Sequence, residues 1–521
     1  MQRAAIFFLI LLIIGCKKDP TTWNTSNSAP ILRASLGIND LVADSLLNTD
    51  ENGLVSIVYS NDIFTFGIDS LVEVVEDTVT NSFSIFPVSE IEVSAGQQFF
   101  NQSEVLAFEQ IDAALSRAII RLGDLKFRAE SDIDGDLIFR VVIPEAKRNG
   151  ESFEYEEIIP AGSLSAPGIL LETTDMTGYD LNLTGASGSE FNEIEIIYSL
   201  IVPEYEEQVT IFSTNEVTME ITFDGLEVEF VEGYLGTEEF EFDEKSYFEN
   251  IPELSEAMLN LSEASLDLSI SNGFGVDLQA LIFNLKAENS ISGKQIDLNH
   301  NIIGSTINLS RASIHQGIPD PTEKNYLIDQ SNSNIIDLLE IIPDSIEISG
   351  RAELNPFGNN SNYNDFASYQ SEFKCTAQIE IPLFASFSNL ILRETSNLDW
   401  NEGAEISKTV VYLHSKSTFR ANTELSLILV DADGNEFFNL TELLAADQVP
   451  VISGATSEQP SITTLVFEFS EQDIMLLQKA SEITTELRFE TTNYPDLVEI
   501  RSTDKIDILI SADIDAQLEF E

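Results

Sequence analysis

The sequence predicts a mainly β fold, with two or three antiparallel β-sandwich (Ig-like) domains and a few short helices. Hydrophobic residues alternate with polar ones over most of the chain, and Gly, Asn, Asp and Pro bound the alternating runs. Helical periodicity is confined to short stretches. The chain has 521 residues, and 43% of them are hydrophobic. This length exceeds the size at which a single hydrophobic core stops growing. We therefore expect two or three packed cores.

The N-terminal segment predicts secretion. Residues 1–15 read MQRAAIFFLILLIIG, in which Arg3 precedes an uncharged apolar run from Ala4 to Ile14. A membrane-spanning helix needs about 20 apolar residues, so this run is too short to cross a bilayer. Its length fits the apolar region of a secretory signal, which has about 7–15 residues. A buried core helix is the alternative, but such a helix rarely lacks a polar face.

Ile13-Ile14-Gly15-Cys16 resembles the lipobox of bacterial lipoproteins. The short basic start and the GCKKD ending are similar to those of uncharacterised outer-membrane and surface lipoproteins of Bacteroidota. The resemblance implies that Cys16 is lipidated, with palmitate-type chains, and that a peptidase cuts after Gly15. Two or three acyl chains would give stable membrane attachment, since each buried methylene contributes about 0.8 kcal/mol. We expect an address at the cell outer membrane, either surface-exposed or facing the periplasm.

The remaining chain divides by its pattern. The segment KKDPTTWNTSNSAP that follows Cys16 is polar and contains two prolines, which is typical of a flexible tether. The predicted units are a signal peptide (1–15), a lipidated tether (16–30), β-domain 1 (31–235), β-domain 2 with short helices (236–343) and β-domain 3 (344–521).

The clearest strand pattern is VTMEITFDGLEVEFVEG, residues 217–233. Met219, Ile221 and Phe223 alternate with polar residues, Asp-Gly interrupts the run, and alternation resumes. Because Asp-Gly between alternating segments is a strong hairpin signal, we predict a half-buried antiparallel hairpin with an acidic outer face.

Three stretches predict short helices instead of strands. Residues 250–264 and 332–345 place leucine and isoleucine on one helical face, and residues 470–483 add Ser470 as an N-cap. Each helix precedes a strand that ends at a turn-forming asparagine, namely Asn272, Asn355 and Asn493. The pattern indicates a recurring helix-then-strand unit, although chance recurrence of such turns remains the alternative.

The charge excludes several classes of partner. The chain carries 89 acidic and 26 basic residues, which gives a formal net charge of -63. A nucleic-acid-binding protein needs a basic patch, so we expect no nucleic-acid partner. Docking of the folded body onto anionic lipid is excluded for the same reason. An acidic surface gives high solubility and offers oxygen ligands to divalent cations.

The chain has two cysteines, Cys16 and Cys375. If Cys16 is lipidated, no intramolecular disulfide forms. Cys375 lies in an alternating run and is interpreted as a small core residue. No nearby histidine supports a catalytic thiol.

Calcium is the only cofactor that the sequence suggests. Carboxylate and amide oxygens at alternate positions suit Ca²⁺, and one such run is DADGNE. Its candidate ligands are Asp431, Asp433, Asn435 and Glu436, and a second run, DIDGD, contains Asp132, Asp134 and Asp136. Neither completes an EF-hand loop, and the alternative for DADGNE is a hairpin turn.

The sequence shows no catalytic motif. His300, His315 and His414 stand alone without zinc-ligand spacing, and no nucleophile elbow or phosphate-binding loop occurs. We therefore expect a non-enzymatic binding, scaffold or assembly protein, with an outer-membrane protein as the expected partner. The alternative is a glycan- or lipid-binding protein with a pocket between sheets. A surface hydrolase is the weakest hypothesis.

Overall fold

The structure is a computed structural model that describes residues 21–38, 44–70, 77–84, 90–108, 113–247, 257–315, 318–397, 405–456, 458–477 and 479–520. The predicted signal peptide, Cys16 and the start of the predicted tether lie outside the described residues. Within them the protein is mostly β-strand, arranged as multiple antiparallel sheets, which confirms the predicted fold class.

The described part of the N-terminal half consists of strands and short turns. The strands are β1 (Thr21–Gly37), β2 (Leu47–Thr49), β3 (Val55–Gly67), β4 (Asp77–Ser84), β5 (Glu90–Ser94), β6 (Gln98–Ala107), β7 (Ala114–Ser131), β8 (Leu137–Arg148), β9 (Glu151–Ile159), β10 (Gly168–Asp175), β11 (Asp180–Asn182), β12 (Glu193–Ile201), β13 (Gln208–Phe212), β14 (Glu216–Tyr234) and β15 (Glu239–Tyr247). Short 3-10 turns span Asp44–Leu46 and Ile68–Ser70.

The described part of the C-terminal half adds further strands and two short helices. The strands are β16 (Met258–Leu261), β17 (Ser265–Asn272), β18 (Leu278–Asn289), β19 (Lys294–Asp297), β20 (Thr306–Leu309), β21 (Ser313–His315), β22 (Ile318–Asp320), β23 (Thr322–Asp329), β24 (Ser345–Leu354), β25 (Asp365–Ser368), β26 (Glu372–Pro382), β27 (Phe384–Ser388), β28 (Leu390–Asn397), β29 (Glu405–Ser417), β30 (Ala421–Val430), β31 (Glu436–Asn439), β32 (Val451–Ile452), β33 (Ser461–Phe469), β34 (Glu482–Thr491), β35 (Val498–Glu499) and β36 (Lys505–Phe520). The helices are α1 (Ile335–Glu340) and α2 (Glu471–Leu477), and a 3-10 turn spans Leu440–Leu443.

The first sandwich is built from one bent ten-stranded sheet. One group of adjacent strands has the order β4-β14-β7-β10, and a second has the order β9-β8-β12-β6. β11 pairs with both β7 and β8 and so joins the two groups. Phe127 of β7 packs against Phe139 at 6.3 Å and against Tyr155 at 4.1 Å between ring centroids. These aromatic contacts join the two groups of strands across one core.

The second sandwich combines distant parts of the chain. One sheet has the order β2-β3-β26-β17-β23, and the other has the order β15-β24-β18-β19. Phe64 of β3 stacks on Phe242 of β15 at 4.7 Å, and Phe66 stacks on Phe240 at 4.2 Å. The buried residues of this sandwich and of the first belong to one continuous hydrophobic cluster.

The third sandwich has its own hydrophobic cluster. Its sheets have the orders β1-β36-β29-β33 and β28-β34-β30-β31. Leu413 and Phe467 from the first sheet share the cluster with Leu425 and Phe489 from the second. The small sheet β16-β27-β35 lies between the two clusters, because Ala385 belongs to one and Phe387 to the other.

Strand pairing crosses the predicted domain borders. β3 comes from predicted domain 1 but pairs with β26, and β15 pairs with β24 across residue 343. Residues 21–30, which the sequence predicts as part of a tether, lie in β1 and pair with β36. A partner strand supplies these polar residues with backbone hydrogen bonds that their composition does not reveal. The division into three folding units stays a prediction.

The predicted hairpin at residues 217–233 is wrong. β14 runs without interruption through Asp224 and Gly225, and the register shifts between Asp224 and Glu227, as in a β-bulge. The alternation itself is as expected, since Val217, Met219, Ile221 and Phe223 are buried while the residues between them are not. The strand continues because β7 accompanies it on both sides of the bulge.

Two of the three predicted helices are confirmed. Residues 332–345 contain α1, and residues 470–483 contain α2. Ser470 begins α2 by accepting a hydrogen bond from the N–H of Asp473 (3.4 Å), and its own N–H donates to the Asp473 carboxylate (2.8 Å). The predicted helix at 250–264 is wrong for its described part, because Met258–Leu261 form strand β16 and pair with β27.

Candidate binding surface

The candidate metal ligands and the three histidines do not come together in one site among the described residues. Within the described residues, no group of three or more His, Cys, Asp and Glu side chains lies close enough together to hold a metal ion. His300 accepts a hydrogen bond from the N–H of Ile302 (3.3 Å), and burial lowers the pKa of its imidazole. His315 is exposed on β21. His414 meets the hydroxyl of Thr464 (3.0 Å) as a cross-strand pair on β29 and β33.

The calcium candidate DADGNE forms a turn between β30 and β31. Asp431 Oδ1 accepts hydrogen bonds from the N–H groups of Asp433 and Asn435, both at 2.9 Å. The bond from Asn435 is the main cause that lowers the pKa of the Asp431 carboxyl. Glu436 lies in β31, where its carboxylate is 3.6 Å from Arg393. The Asp431 side chain therefore stabilises the hairpin turn, and the Glu436 side chain lies close to Arg393.

The second acidic run is also occupied by structural contacts. Asp132 Oδ1 accepts from Asn215 Nδ2 and from the N–H of Glu216, both at 2.9 Å. Asp136 accepts from the N–H of Ala161 (2.8 Å) and from the hydroxyl of Tyr205 (2.9 Å). These bonds tie loops to strand ends in the first sandwich.

Cys375 is a buried core residue of β26, as the sequence predicts. Its side chain is 2% exposed and unpaired with another cysteine, and burial raises the pKa of its thiol to about 12. A thiol with that pKa is almost wholly protonated at neutral pH and is a poor nucleophile. Cys16, the predicted lipidation site, lies outside the described residues.

Among the described residues, two carboxyl groups have pKa values raised by burial. One is Glu145 in β8 of the first sandwich, and the other is Asp504, just before β36 of the third. Asp504 accepts a hydrogen bond from the N–H of Arg501 (2.9 Å), which is a turn contact. Because they lie in different sandwiches, the two do not form an acid pair.

The space between the sheets of the second sandwich is small. A cavity of about 40 Å³ lies there, with an almost entirely apolar lining from β3, β24, β26 and α1 that includes Ile63, Leu338, Ile348 and Ile379. Ligand pockets typically measure about 300–1,000 Å³. This cavity has room for a few water molecules at most. It gives no support to the predicted glycan or lipid pocket between sheets.

Many basic residues pair with acids on neighbouring strands. Lys245 contacts Glu288 at 2.6 Å, and Lys374 contacts Asp62 at 2.8 Å. The pairing hydrogen bond lowers the pKa of Asp62 and raises that of Lys245. Exposed pairs of this kind contribute about 0–1 kcal/mol each. Their larger effect is to neutralise basic residues, so the acidic excess dominates the outer surface.

Two arginines of β7 lie against aromatic rings, one from β14 and one from the residue that follows β25. Arg117 donates Nε–H and Nη2–H to the two Asp180 oxygens at 2.8 Å each, and its guanidinium lies 5.7 Å from the Phe230 ring centroid. The Arg121 guanidinium lies 3.9 Å from the ring centroid of Tyr369, which is 49% exposed. Such cation–π contacts hold aromatic rings flat on the surface.

An aromatic pair lies near the start of the same strand. Phe191 and Tyr363 come from loops 183–192 and 355–364, and their rings stack at 4.4 Å with an interplanar angle of 20°. Tyr363 is 40% exposed. We call these two residues the aromatic stack. We call Arg117, Arg121, Phe230 and Tyr369 the arginine–aromatic face. The face and the aromatic stack together are the candidate binding surface.

The sequence reasoning missed this surface. Loop 355–364 reads NPFGNNSNYN, and only its first residue drew attention, as a turn former. An aromatic residue within an Asn-, Ser- and Gly-rich loop has no alternating pattern that would place it in a core. That combination is the signal by which Tyr363 could have been found. Its contact with Phe191 joins loops that are far apart in the chain and leaves no local trace.

The described residues contain no helix with the length and hydrophobicity of a membrane span. Fold and surface therefore define a class only: a mainly β protein of antiparallel sandwiches with an acidic surface and exposed aromatic rings.

Comparisons with known proteins add no name. No protein-family model matches the chain, and no curated protein matches it significantly. A solved structure of a Parabacteroides distasonis ATCC 8503 protein, described as secreted, is similar at 10% identity and a TM-score of 0.29, covering 95% of this chain and 99% of that chain. N-glycanase F (PNGase F) matches at 12% identity and a TM-score of 0.15, and the match covers 58% of this chain and 96% of that chain.

A structure of infectious bursal disease virus, Gx strain, matches at 9% identity and a TM-score of 0.12, covering 88% of this chain and 82% of that chain. With TM-scores this low, none of the three likenesses supports an inference about the activity of this chain.

Proposed function

We propose that the protein is a lipid-anchored lipoprotein of the cell outer membrane that acts through its surface as a non-enzymatic binding, scaffold or assembly protein. The anchor rests on Ile13-Ile14-Gly15-Cys16 at the end of the apolar N-terminal run. The observation that carries the binding role is the exposed arginine–aromatic face, where the rings of Phe230 and Tyr369 lie against arginines on the outside of a sheet. Aromatic and arginine side chains are enriched at recognition surfaces.

The polar groups described above support a role without chemistry. The carboxylate of Asp431 accepts hydrogen bonds within its own turn, and those of Asp132 and Asp136 accept hydrogen bonds from the backbone of Glu216 and Ala161. The Cys375 thiol is buried in the core. A carboxylate or thiol used in this way contributes to folding, whereas a catalytic group needs access to substrate.

Two cysteine variants test the anchor. Cells that express the full chain are grown with labelled palmitate, and label and membrane partitioning are measured for wild type, Cys16→Ser and Cys375→Ser. We expect label in wild type and Cys375→Ser, and neither label nor membrane partitioning in Cys16→Ser. Label that persists in Cys16→Ser would exclude lipidation at this residue.

A cross-linked pull-down tests the assembly role. The tagged full chain is captured from detergent-solubilised membranes, with Tyr369→Ala as the test variant and Tyr247→Ala as the control, since Tyr247 is exposed on a different sheet. We expect one stoichiometric outer-membrane partner that is weakened by the first substitution only. Equal capture by all three chains would show that the arginine–aromatic face is not the contact surface.

A further inference from the structure

The aromatic stack is held by rigid supports on both sides. Asn192, next to Phe191, accepts a hydrogen bond from the N–H of Leu115 (2.7 Å) and donates Nδ2–H to the carbonyl of Ala113 (2.8 Å). Both bonds tie the Phe191 loop to the start of β7. The ring of Phe191 therefore has a fixed position relative to the first sandwich.

The Tyr363 side is tied down by its own loop. The N–H of Tyr363 donates to Asn359 Oδ1 (2.9 Å), and Asn364 Nδ2 donates to the carbonyl of Ser361 (2.8 Å). At the base of the loop, Asn355 Nδ2 donates to the carboxylate of Asp365 (2.8 Å), which is buried. A loop fixed in this way loses little conformational entropy when a ligand binds.

The backbone at Tyr363 is strained. Its φ is +64°, a conformation that is a genuine outlier for a bulky residue, and the preceding Asn362 is also left-handed at +55°. Such a conformation costs about 1–3 kcal/mol and persists where the surroundings enforce it. The strain is not relieved by burial, because the ring remains 40% exposed. An exposed ring in an enforced conformation is a feature of ligand-contacting loops.

We propose that the aromatic stack binds the pyranose ring of a neutral glycan, an inference that rests on the proposed function as a surface binding protein and names its ligand class. The Tyr363 ring offers an apolar face, and the loop around it is composed of Asn, Ser and Gly. Amide and hydroxyl groups donate and accept hydrogen bonds, which matches the hydroxyls around a sugar ring. Tyrosine with Ser, Gly and Asn is also the composition of adaptable recognition loops.

Charge and size select this ligand among the alternatives. The net charge of -63 opposes binding of uronic-acid or sulfated polymers, so an uncharged glycan is favoured. A protein partner buries about 800 Å² per side in a typical interface, which far exceeds two stacked rings and one ten-residue loop. A short stretch of neutral sugar fits the dimensions of the stack.

Affinity electrophoresis of the full-length chain in detergent micelles tests the proposal. The native gels contain one of four probes, namely dextran, β-1,3-glucan, mannan or galactomannan, and polygalacturonate serves as the acidic control. We expect retardation by at least one neutral probe and none by polygalacturonate. Retardation by polygalacturonate alone, or by no probe, would overturn the proposal.

Three variants assign the binding to the stack. Tyr363→Gly removes the ring at a position whose φ suits glycine, so we expect at least tenfold weaker binding with an unfolding midpoint close to that of wild type. Tyr363→Phe keeps the ring and should bind within about threefold of wild type. Tyr247→Ala, the exposed aromatic control on β15, should bind as wild type does.

The outcomes separate this proposal from the wider function. Wild-type glycan affinity in Tyr363→Gly would contradict the assignment. So would a Tyr363→Gly chain that loses its protein partner in the same type of pull-down but keeps its glycan affinity. A chain that binds no glycan but still captures its stoichiometric partner would refute the glycan proposal and leave the binding function intact. A chain that binds no glycan and captures no partner would refute both the glycan proposal and the proposed binding function.

Discussion

Two Asp-Gly dipeptides, each within an alternating pattern, adopt different structures in this protein. Asp433-Gly434 closes the hairpin between β30 and β31, where the N–H of Gly434 donates to the carbonyl of Asp431 (3.0 Å). Asp224-Gly225 lies inside β14, which continues for nine residues beyond Gly225 to Tyr234. Both glycines have positive φ, +83° and +59° respectively. At these two positions the dipeptide has the same left-handed glycine, but the chain reverses at one and continues at the other.

The neighbouring strand accounts for the difference. β7 pairs with β14 before and after Gly225, and its own Gly123, at φ +132°, lies at the same level. A Cβ at Gly123 would lie 2.8 Å from Leu226 Cα, so the two strands approach closely at the bulge. Among the described strands, the partners β34 and β31 pair with β30 only as far as Val430, and β31 begins only after the turn. A hairpin signal is thus overridden where a long partner strand is present.

The first prediction breaks the bulge. Gly123→Ala would place Cβ 2.6 Å from Leu226 Cδ2 and 2.9 Å from the Gly225 carbonyl oxygen, and backbone atoms cannot move away without disrupting both strands. We expect a loss of about 3 kcal/mol or more in the free energy of unfolding. Denaturant unfolding measures the loss, with Gly150→Ala as control because its Cβ would meet nothing within 4 Å. A loss equal to that of the control would show that the strands do not meet closely here.

Much of the fold can be predicted from local pattern, because burial alternates with period two. The alternation of β14, the helix α2 with its Ser470–Asp473 cap, and the buried Cys375 all follow from neighbours in the sequence. Each is determined by residues within a few positions. The same holds for the strand ends near Asn272 and Asn355, where β17 and β24 stop.

The rest depends on partners that are distant in the chain. The composition of residues 21–30 predicts a tether, yet they pair with residues 511–520. The pattern of Met258–Leu261 predicts a helix, yet these residues form a strand because they pair with β27. The aromatic stack likewise joins Phe191 to Tyr363 across more than 170 residues. Local composition carries no information about such pairings, so neither the sheet order nor the candidate surface could be derived from the pattern.

The second prediction concerns the bulge glycine itself. Gly225→Ala forces a side chain into left-handed backbone at φ +59°, with open space around the new Cβ. We expect a loss of about 1–2 kcal/mol, smaller than that of Gly123→Ala because conformational strain is the sole cause. Gly225→Asn should recover part of the loss, since Asn tolerates this region. Equal losses for Ala and Asn in chemical unfolding would argue against backbone strain.

The third prediction applies the same substitution to the turn. Gly434→Ala also meets open space at φ +83°, but an exposed hairpin end relaxes more easily than a strand paired on both sides of its bulge. We expect a loss of about 1 kcal/mol, at the lower end of the cost of a left-handed residue and confined to the third sandwich. Hydrogen exchange should show faster exchange in β30 and β31 and no change in β7. Accelerated exchange in β7 would contradict the separation of the two hydrophobic clusters.

The smallest effect is expected at Asp431, whose carboxyl group makes the stability of the turn depend on pH. Hydrogen bonds from backbone N–H groups, chiefly that of Asn435, lower the pKa of Asp431 below its ordinary 3.8. A lowered pKa in the folded state means that the stabilising contribution is present above about pH 4 and is lost as the pH falls through the folded pKa. Asp431→Asn keeps the acceptor oxygen but removes the charge, so its unfolding temperature should lie slightly below that of wild type at pH 7, and the difference should shrink between pH 5 and pH 2.

The same variant tests calcium. Asp431 Oδ1 already accepts bonds from two backbone N–H groups of the turn, and Glu436 faces Arg393, so a cation would have to displace existing partners. We therefore expect each protein, wild type and Asp431→Asn, to have the same unfolding temperature in 1 mM calcium as in chelator. A rise with calcium in wild type alone would establish the turn as a calcium site. It would also mean that the hairpin geometry and the ion share one set of oxygens, as they do in other calcium-binding loops.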